Sequence, residues 1–480
     1  MTLLTAGTRA EPAPRTQTSP AGLLLIVCAG VVLASLDLFI VNVALPQIAR
    51  DLHARDLGEL SWVLNAYTIV YASLLVFFGR LADRYRRDRA FLLGVAVFTA
   101  ASVACAASAS VGMLIGFRVV QAAGAALLTP ASLGLVLASY PDPIRQTGAV
   151  RAWTAVGGLS AAIGPVVGGL LVAVSWRWVF LVNLPVGLAA IVVGGRRLPK
   201  VPPRSTDRPR PLGVVLVSTG VGLLTFGLVK GADWGWASTR TDAVLAAAVV
   251  LLALFVLHCV HSRAPLVNPD LFRSRPFTGA SLVALFFSSS FGAMLLSIVL
   301  WEQGAWGWSA LHAGLAIAPG PLMVPVMSFL VAGRLIRRYG PALVISLGSV
   351  VFAGGVAWWA LAVTASPNYV PGVLGGMILT GVGVGLTLPT VMASAAASLP
   401  PYAFATGSAV VNMIRQTGLA LGVAVLIAVL GTGAAEHGAR LASFQHVWWV
   451  SATISAAGIV PAVALLRRPR PVPSAPAAIA

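Results

Sequence analysis

Leu36-Asp37-Leu38-Phe39-Ile40-Val41-Asn42-Val43-Ala44-Leu45-Pro46 lies within an apolar run from Ala21 to Leu45, and one carboxylate interrupts that run. A run of roughly 25 residues is long enough to cross a bilayer as a tilted helix. A charge at mid-membrane depth costs about 2.5 to 3.5 kcal/mol even on the lenient insertion scale, so Asp37 has to face a protein interior or a water-filled cavity. An acid placed there is a candidate proton site.

The same apolar signal recurs along the whole chain of 480 residues, 58% of them hydrophobic and 10% charged. Its mean hydropathy is +0.90, far from the balance of a soluble domain. The expected fold class is an all-α polytopic membrane protein. A formal charge of +18 raises the question of nucleic acid. The basic residues sit in short loops between apolar runs rather than on one water-facing surface, and this argues against nucleic acid as a partner. Cys28, Cys105 and Cys259 fall in separate apolar segments without paired spacing, so neither a disulfide framework nor a metal site is expected.

Hydropathy places fourteen spans in a six, two, six arrangement. A tail over residues 1–20, rich in Thr, Ala and Pro, is expected to be disordered and cytoplasmic. A six-helix bundle follows over 21–195, then a basic linker over 196–211, two inserted helices over 212–260 and a second cytoplasmic linker over 261–276. A second six-helix bundle covers 277–466 and a cytoplasmic tail 467–480. The positive-inside rule tests this count independently. Of 32 Lys and Arg, six (Arg50, Arg55, Arg177, Lys230, Arg240, Arg440) fall outside, Arg118 and Arg415 fall within spans, and 24 fall inside if both termini are cytoplasmic. One helix more or fewer inverts every later loop. The loop Pro400 to Thr406, expected inside, carries no charge. The expected location is the cell membrane, with lipid as surroundings.

An internal repeat is visible. Gly79-Arg80-Leu81-Ala82-Asp83-Arg84-Tyr85 returns at an offset of 254 as Gly333-Arg334-Leu335-Ile336-Arg337-Arg338-Tyr339, and Gly124 and Pro130 return at an offset of 259 as Gly383 and Pro389. Parallel repeats of this kind are a transporter architecture, with substrate bound between halves that rock against each other.

In the first of these loops, Gly79 permits close helix approach, and Asp83 has Arg84 and Arg87 within reach as partners for a conformational latch. Arginines beside a membrane also serve simply as topological anchors. The loop resembles the signature loop of the major facilitator superfamily, G-x-L-a-D-r-x-G-r-[RK]-x, through Gly79, Leu81, Asp83, Arg84 and Arg87. Arg86 and Asp88 depart from it, standing where the pattern has Gly and a basic residue.

Along the fourth span, Arg118, Gln121, Ala125, Thr129 and Ser132 fall on one helical face. A buried guanidinium needs a partner, and across the first bundle only Asp37 is available; the alternative is that Arg118 snorkels to the outer surface. The run from Arg118 to Pro130 resembles the superfamily's R-x-x-Q-G-x-G pattern, whose Arg is implicated in proton transfer, with Ala122 replacing one glycine. In the fifth span Gly157, Gly164, Pro165, Gly168 and Gly169 match the G-P-x-x-G-G motif associated with antiporters. The stretch Trp176 to Pro185, and the opening Leu36 to Pro46 with Phe39 in place of Thr, resemble the fourteen-helix drug:proton antiporter family of multidrug-resistance exporters.

That resemblance implies the major facilitator fold and a proton-coupled antiporter, powered by the proton gradient without a cofactor and exporting a drug-like or natural-product small molecule. Asp37 and Arg118 are the expected proton-coupling pair. Asn42, Trp62, Asn65, Thr68, Gln121, Asn412 and Arg415 are expected to line the cavity, with Arg415 alternatively snorkelling to the cytoplasm and Trp62 alternatively an interfacial anchor beside Trp176, Trp178, Trp234, Trp236, Trp306 and Trp308. Glu302, after Trp301 at the outer end of the ninth span, is read as a solvated helix end, with a cavity acid as the alternative. Proton-coupled uptake of a metabolite is the alternative direction. An intramembrane enzyme needs a histidine beside Ser160 in Gly158-Leu159-Ser160, and the six histidines lie in loops or at span ends. A non-transporting sensor has little use for both Asp37 and Arg118. No ATP-binding G-x-x-x-x-G-K-[ST] is present. A monomer is expected.

Overall fold

A computed structural model describes residues 20–140, 142–201, 211–262, 265–399, 404–431 and 437–466. Both tails, most of the first linker and most of the Pro400 to Thr406 loop fall outside the described residues, as does the side chain of Asp83.

The described residues contain thirteen helices long and apolar enough to cross a membrane, and a fourteenth when one bent pair is taken as a single span. In chain order these are α1 (Ala21–Asp51), α2 (Leu57–Ala82), α3 (Arg87–Ala106), α4 (Val111–Ser139), α5 (Pro143–Val172), α6 (Trp178–Arg197) and α7 (Leu212–Gly231). The remainder are α8 (Thr239–His261), α9 (Arg275–Gly304), α10 (Ala310–Tyr339), α11 (Pro341–Ala362), α12 (Val370–Ala397), α13 (Gly407–Leu430) and α14 (Arg440–Leu465). α5 is the bent one, turning by 41° between Ser160 and Ile163. Pro165 lies just beyond the bend, where it lacks the N–H for the preceding turn.

Helix starts differ between the two ends of the bundle. α2, α4, α8 and α10 open on Asp56, Ser110, Ser238 and Ser309, whose side chains accept from the backbone N–H three residues on. These N-caps satisfy amides that the helix itself cannot, and all four belong to even-numbered spans that start at the end opposite the basic loops. At the basic end, Arg86 and Arg87 introduce α3 and Arg275 introduces α9.

The repeat seen in the sequence is built into the packing. A methyl group on Gly124 in α4 would meet the backbone nitrogen of Phe98 in α3 at 2.6 Å, and one on Gly94 would meet the Gly124 carbonyl at 3.0 Å. In the second half, a methyl on Gly383 in α12 would meet the Phe352 nitrogen at 2.7 Å, and one on Gly348 in α11 would meet the Gly383 carbonyl at 3.0 Å. Gly348 and Phe352 stand 254 residues after Gly94 and Phe98. Each half therefore has a helix pair pressed together backbone to backbone, as small residues permit in lipid.

Where the halves meet, α2 packs on α13 and α5 on α10. The inserted α7 packs on both α2 and α13, with α8 against its outer side. Trp62 packs against Phe226 of α7 in a tilted contact, ring centroids 6.2 Å apart and 48° between the planes, and it is not among the cavity-lining residues. Of the expected interfacial tryptophans, Trp178 and Trp236 are exposed, but Trp176 and Trp306 are buried. The Trp176 indole donates to Asp51 at 3.0 Å, tying the end of α1 to the start of α6.

Overpacking at such contacts costs about 1 to 3 kcal/mol. Gly124→Val and Gly383→Val are expected to lower the melting temperature of the detergent-purified protein by several degrees. Gly116→Val and Gly354→Val, at positions in α4 and α11 with no atom within 4 Å of an added methyl, are expected to leave it unchanged.

Candidate functional site: a buried ion pair beside a cavity

Asp37 of α1 and Arg118 of α4 are both fully buried, and Arg118 Nη1 donates directly to Asp37 Oδ2. Arg118 does not snorkel. The side-chain amide of Gln121, one turn along α4, spans both partners: its Oε1 accepts from Arg118 at 2.7 Å and its Nε2 donates to Asp37 Oδ1 at 2.8 Å. Gln121 Nε2 also donates to Ser102 of α3 at 2.8 Å, and Asn183 of α6 donates to Asp37 Oδ1 at 3.3 Å. Arg118 Nε donates to the Val63 carbonyl of α2 at 3.1 Å, and its guanidinium lies 4.0 Å from the centroid of the Tyr67 ring. Five helices of the first half thus converge on one carboxylate and one guanidinium. Desolvating both charges is expensive, and their mutual attraction with these additional hydrogen bonds offsets the cost.

Asp37 and Arg118 meet as their sequence positions suggest, whereas Gln121, expected in the substrate cavity, belongs to the ion pair. Ser102, Asn183 and Tyr67 were missed. Asn183 was visible only as part of the family-like stretch after Trp176, and nothing in the local pattern marks Ser102 or Tyr67.

The G-P-x-x-G-G glycines hold α1 and α5 together around the acid. Methyl groups on Gly157, Gly164 and Gly168 would each approach α1 to 3.0 Å, at Val31, Phe39 and Ile40. Gly169 faces the other half, where a methyl would meet the Ala310 carbonyl of α10 at 2.7 Å, and Gly314 of α10 closes on the Pro165 carbonyl. Gln303 of α9 adds a bond to the Val43 carbonyl of α1 at 3.1 Å. These contacts shut the space between the halves at the end away from the basic loops.

Toward the basic end the halves part around a cavity of about 570 Å³, lined by α1, α2, α4 and α5 on one side and α9, α10, α12 and α13 on the other, with Arg87 of α3. Its walls are mostly apolar, including Leu38, Phe39, Phe291 and Met294. Its polar lining residues include Tyr71, Thr129, Asn412, Arg415 and Gln416, with Arg80 and Arg87 toward the basic end. Of the residues expected there, Asn412 and Arg415 line it. Asn42, Asn65 and Thr68 do not, being buried among the helices. The Asn42 amide donates to the Leu38 carbonyl at 3.1 Å and the Thr68 hydroxyl to the Leu64 carbonyl at 2.7 Å. Both polar groups are satisfied by the preceding turn of their own helix, so neither needs a cavity.

Two helices connect the pair with the cavity. α4 carries Arg118 and Gln121 at one level and Thr129 and Ser132 farther on, where Ser132 accepts from the Trp153 indole at 3.1 Å. α2 carries Tyr67 against Arg118 and, one turn on, Tyr71, whose hydroxyl donates to Thr129 at 3.3 Å. The two tyrosine rings stack, centroids 5.9 Å apart and 18° from parallel.

At the basic end, Gly79 and Arg87 border the cavity. Arg87 is buried and donates to the Gly134 carbonyl at 3.1 Å, while Arg84 stands 5.9 Å from the Tyr85 ring. Asp83 itself falls outside the described side chains. Arg86 and Asp88, the two departures from the signature loop, pair with each other at 2.6 and 3.2 Å. Each substitution supplies the partner of the other.

Glu302 is not a solvated helix end: it is fully buried near the end of α9, and neither carboxyl oxygen has a hydrogen-bond partner. The Ser160 hydroxyl donates to the Val156 carbonyl of its own helix at 2.7 Å.

The model of the family described as Major Facilitator Superfamily matches residues 27–423 and 282–480. The chain is 33% identical over 433 residues to the tetracenomycin C resistance and export protein of Streptomyces glaucescens, covering 89% of this chain and 78% of that protein. It is 32% identical over 447 residues to the cephamycin export protein CmcT of Amycolatopsis lactamdurans, covering 92% and 91%. To the methylenomycin A resistance protein of Streptomyces coelicolor it is 32% identical over 440 residues, covering 91% of each. Among solved structures, an auto-inhibited POT family peptide transporter superposes with a TM-score of 0.69 at 18% identity, over 95% of this chain and 99% of that one, which speaks for the fold alone. With its family match, its full-length relatives and its two packed halves, this multi-pass membrane protein belongs to the major facilitator superfamily.

Proposed function

We propose that the protein is a proton-coupled antiporter that exports a drug-like or natural-product small molecule across the cytoplasmic membrane, with both termini on the cytoplasmic side. The observation that carries this reading is the sealed Asp37–Arg118 pair next to a cavity open toward the basic end. By the positive-inside rule that end is cytoplasmic, so the conformation is the one that receives cargo from the cell interior. The names of the relatives, resistance and export proteins for several antibiotics, favour export over uptake.

In this proposal Asp37 is the proton site and Arg118 its partner. Protonating Asp37 removes one charge of the pair and leaves the Arg118 guanidinium to the Gln121 and Val63 oxygens. The packing of α1 on α4 then has two charge states, and a proton gradient biases the equilibrium between two arrangements of the halves by its differential affinity for them. Cargo acts on the same equilibrium through the cavity, because Tyr71 and Thr129 stand on the helices that hold Tyr67 and Arg118. The loop at Gly79, Asp83, Arg84 and Arg87 serves as the latch at the cytoplasmic end, and the antiporter-motif residues Gly157, Gly164, Pro165, Gly168 and Gly169 as the bearing on which α1 and α5 move together.

The test begins with the full chain expressed in an efflux-deficient bacterium challenged with a panel of antibiotics, and continues in proteoliposomes with a compound to which it confers resistance. Asp37→Asn is expected to cut pH-gradient-driven transport at least tenfold; efflux at the wild-type rate removes Asp37 from the mechanism. Arg118→Ala is expected to lose coupling while retaining part of cargo binding, and undiminished coupling excludes the pair as the proton element.

The same pair makes a separate prediction about stability. Arg118→Ala leaves a buried carboxylate unpaired, a loss of about 3 to 5 kcal/mol, whereas replacing both partners with apolar groups is often close to neutral. Asp37→Leu/Arg118→Leu should therefore melt higher than Arg118→Ala in detergent and still fail to transport.

A further inference from the structure

We infer that the cargo is an anionic amphiphile: a compact ring-bearing molecule with one acidic group, carboxylate or sulfonate, seated on Arg415 and Gln416. The inference rests on the export reading only in taking the cavity as the cargo site. The charged residues that line the cavity are Arg80, Arg87 and Arg415, and no described lining residue is acidic. Arg87 already bonds the Gly134 carbonyl, and both it and Arg80 stand at the basic mouth. Arg415 lies deeper, on α13. Its Nε and Nη2 both donate to Asn412 Oδ1, at 3.0 and 2.8 Å, and no described carboxylate pairs with it.

An arginine inside a membrane protein normally has a counter-charge, as Arg118 has in Asp37. The neutral oxygen of Asn412 orients the Arg415 fork without neutralising it. Next to it, Gln416 lines the same cavity with no exposure to solvent, and both its amide oxygen and its amide nitrogen lack hydrogen-bond partners. A buried amide left in this way costs free energy until a ligand supplies the missing bonds. A planar acid group takes charge-assisted hydrogen bonds from the guanidinium, and a turn of the adjoining Gln416 side chain toward the cavity would give its amide a partner as well. The apolar walls then take the ring body, and about 570 Å³ is within the range of sites for drug-sized ligands. A cation would find no acidic group among the described residues that line the cavity.

Binding tests this without any gradient. Full-length protein in detergent is titrated with three fluorescent probes of matched body and different charge: dansylglycine (anionic), dansylamide (neutral) and dansylcadaverine (cationic). The expected order is dansylglycine tighter than dansylamide by about tenfold or more, with dansylcadaverine weakest. Arg415→Gln is expected to bring dansylglycine to the level of dansylamide and to leave dansylamide within about twofold, while Arg415→Lys keeps part of the preference. Equal or tighter binding of the neutral or cationic probe overturns the inference, as does a preference that survives Arg415→Gln, displacement of dansylglycine by equimolar phosphatidylglycerol, or no binding of any probe to monodisperse protein. The wild-type comparison needs no variant to fold. Proton-driven efflux of a neutral compound would refute the cargo class and leave the antiporter reading standing; anion-selective binding without proton-driven efflux would do the reverse.

Discussion

Asp37 and Arg118 sit where neither charge can reach water, and each is bearable there only because of the other. That constraint organises the first half. α1 has to present Asp37 to α4 at one rotation, and the glycines of α5 have to let α1 approach closely enough to keep it there. α3 and α6 turn Ser102 and Asn183 toward the same point. Oxygens and nitrogens that would be a liability in lipid become useful because a charge consumes them. Among the described residues, the second half has no such buried ion pair. Its arginine, Arg415, leans on a neutral amide, and its buried acid, Glu302, stands without a hydrogen-bond partner. The halves share their helix packing and differ in how they handle charge.

The span pattern was legible from hydropathy because lipid admits few spanning structures. Loop charge confirmed the count because one error in it inverts every later loop. The partner of Asp37 was legible by elimination, since a single interior cation was available in that bundle. Helix rotation was not legible. Asn42, Asn65 and Thr68 look like cavity residues to any reading that equates polarity with water, yet Thr68 and Asn42 spend their donors on carbonyls of their own helix. Asn65 is buried with both amide atoms unpaired, and we have no physical account of it. Glu302 lies two residues before Gly304, the last residue of α9, and position alone suggested water, yet the side chain is fully buried.

The signature loop shows how a departure from a family pattern is to be read. Arg86 and Asp88, each taken alone, break the pattern. Together they form an ion pair at the start of α3, where an acidic side chain also suits the positive end of the helix. The buried Arg87 between them clamps α3 to α4 through the Gly134 carbonyl, and Gly134 leaves the room: a methyl there would meet Arg87 Cδ at 2.9 Å.

The position of α7 has a bearing on how molecules arrive. Two seams separate the halves, one between α2 and α13 and one between α5 and α10, and α7 lies across the first with α8 beyond it. Amphipathic compounds concentrate in the bilayer far above their aqueous level, so a path opening sideways into lipid meets a much larger supply than one opening into water. The α2–α13 seam is covered by the inserted pair, whereas no inserted helix packs on the α5–α10 seam. The two extra helices thus break the symmetry that the repeat would otherwise impose, covering one of the two seams and leaving the other without such a cover.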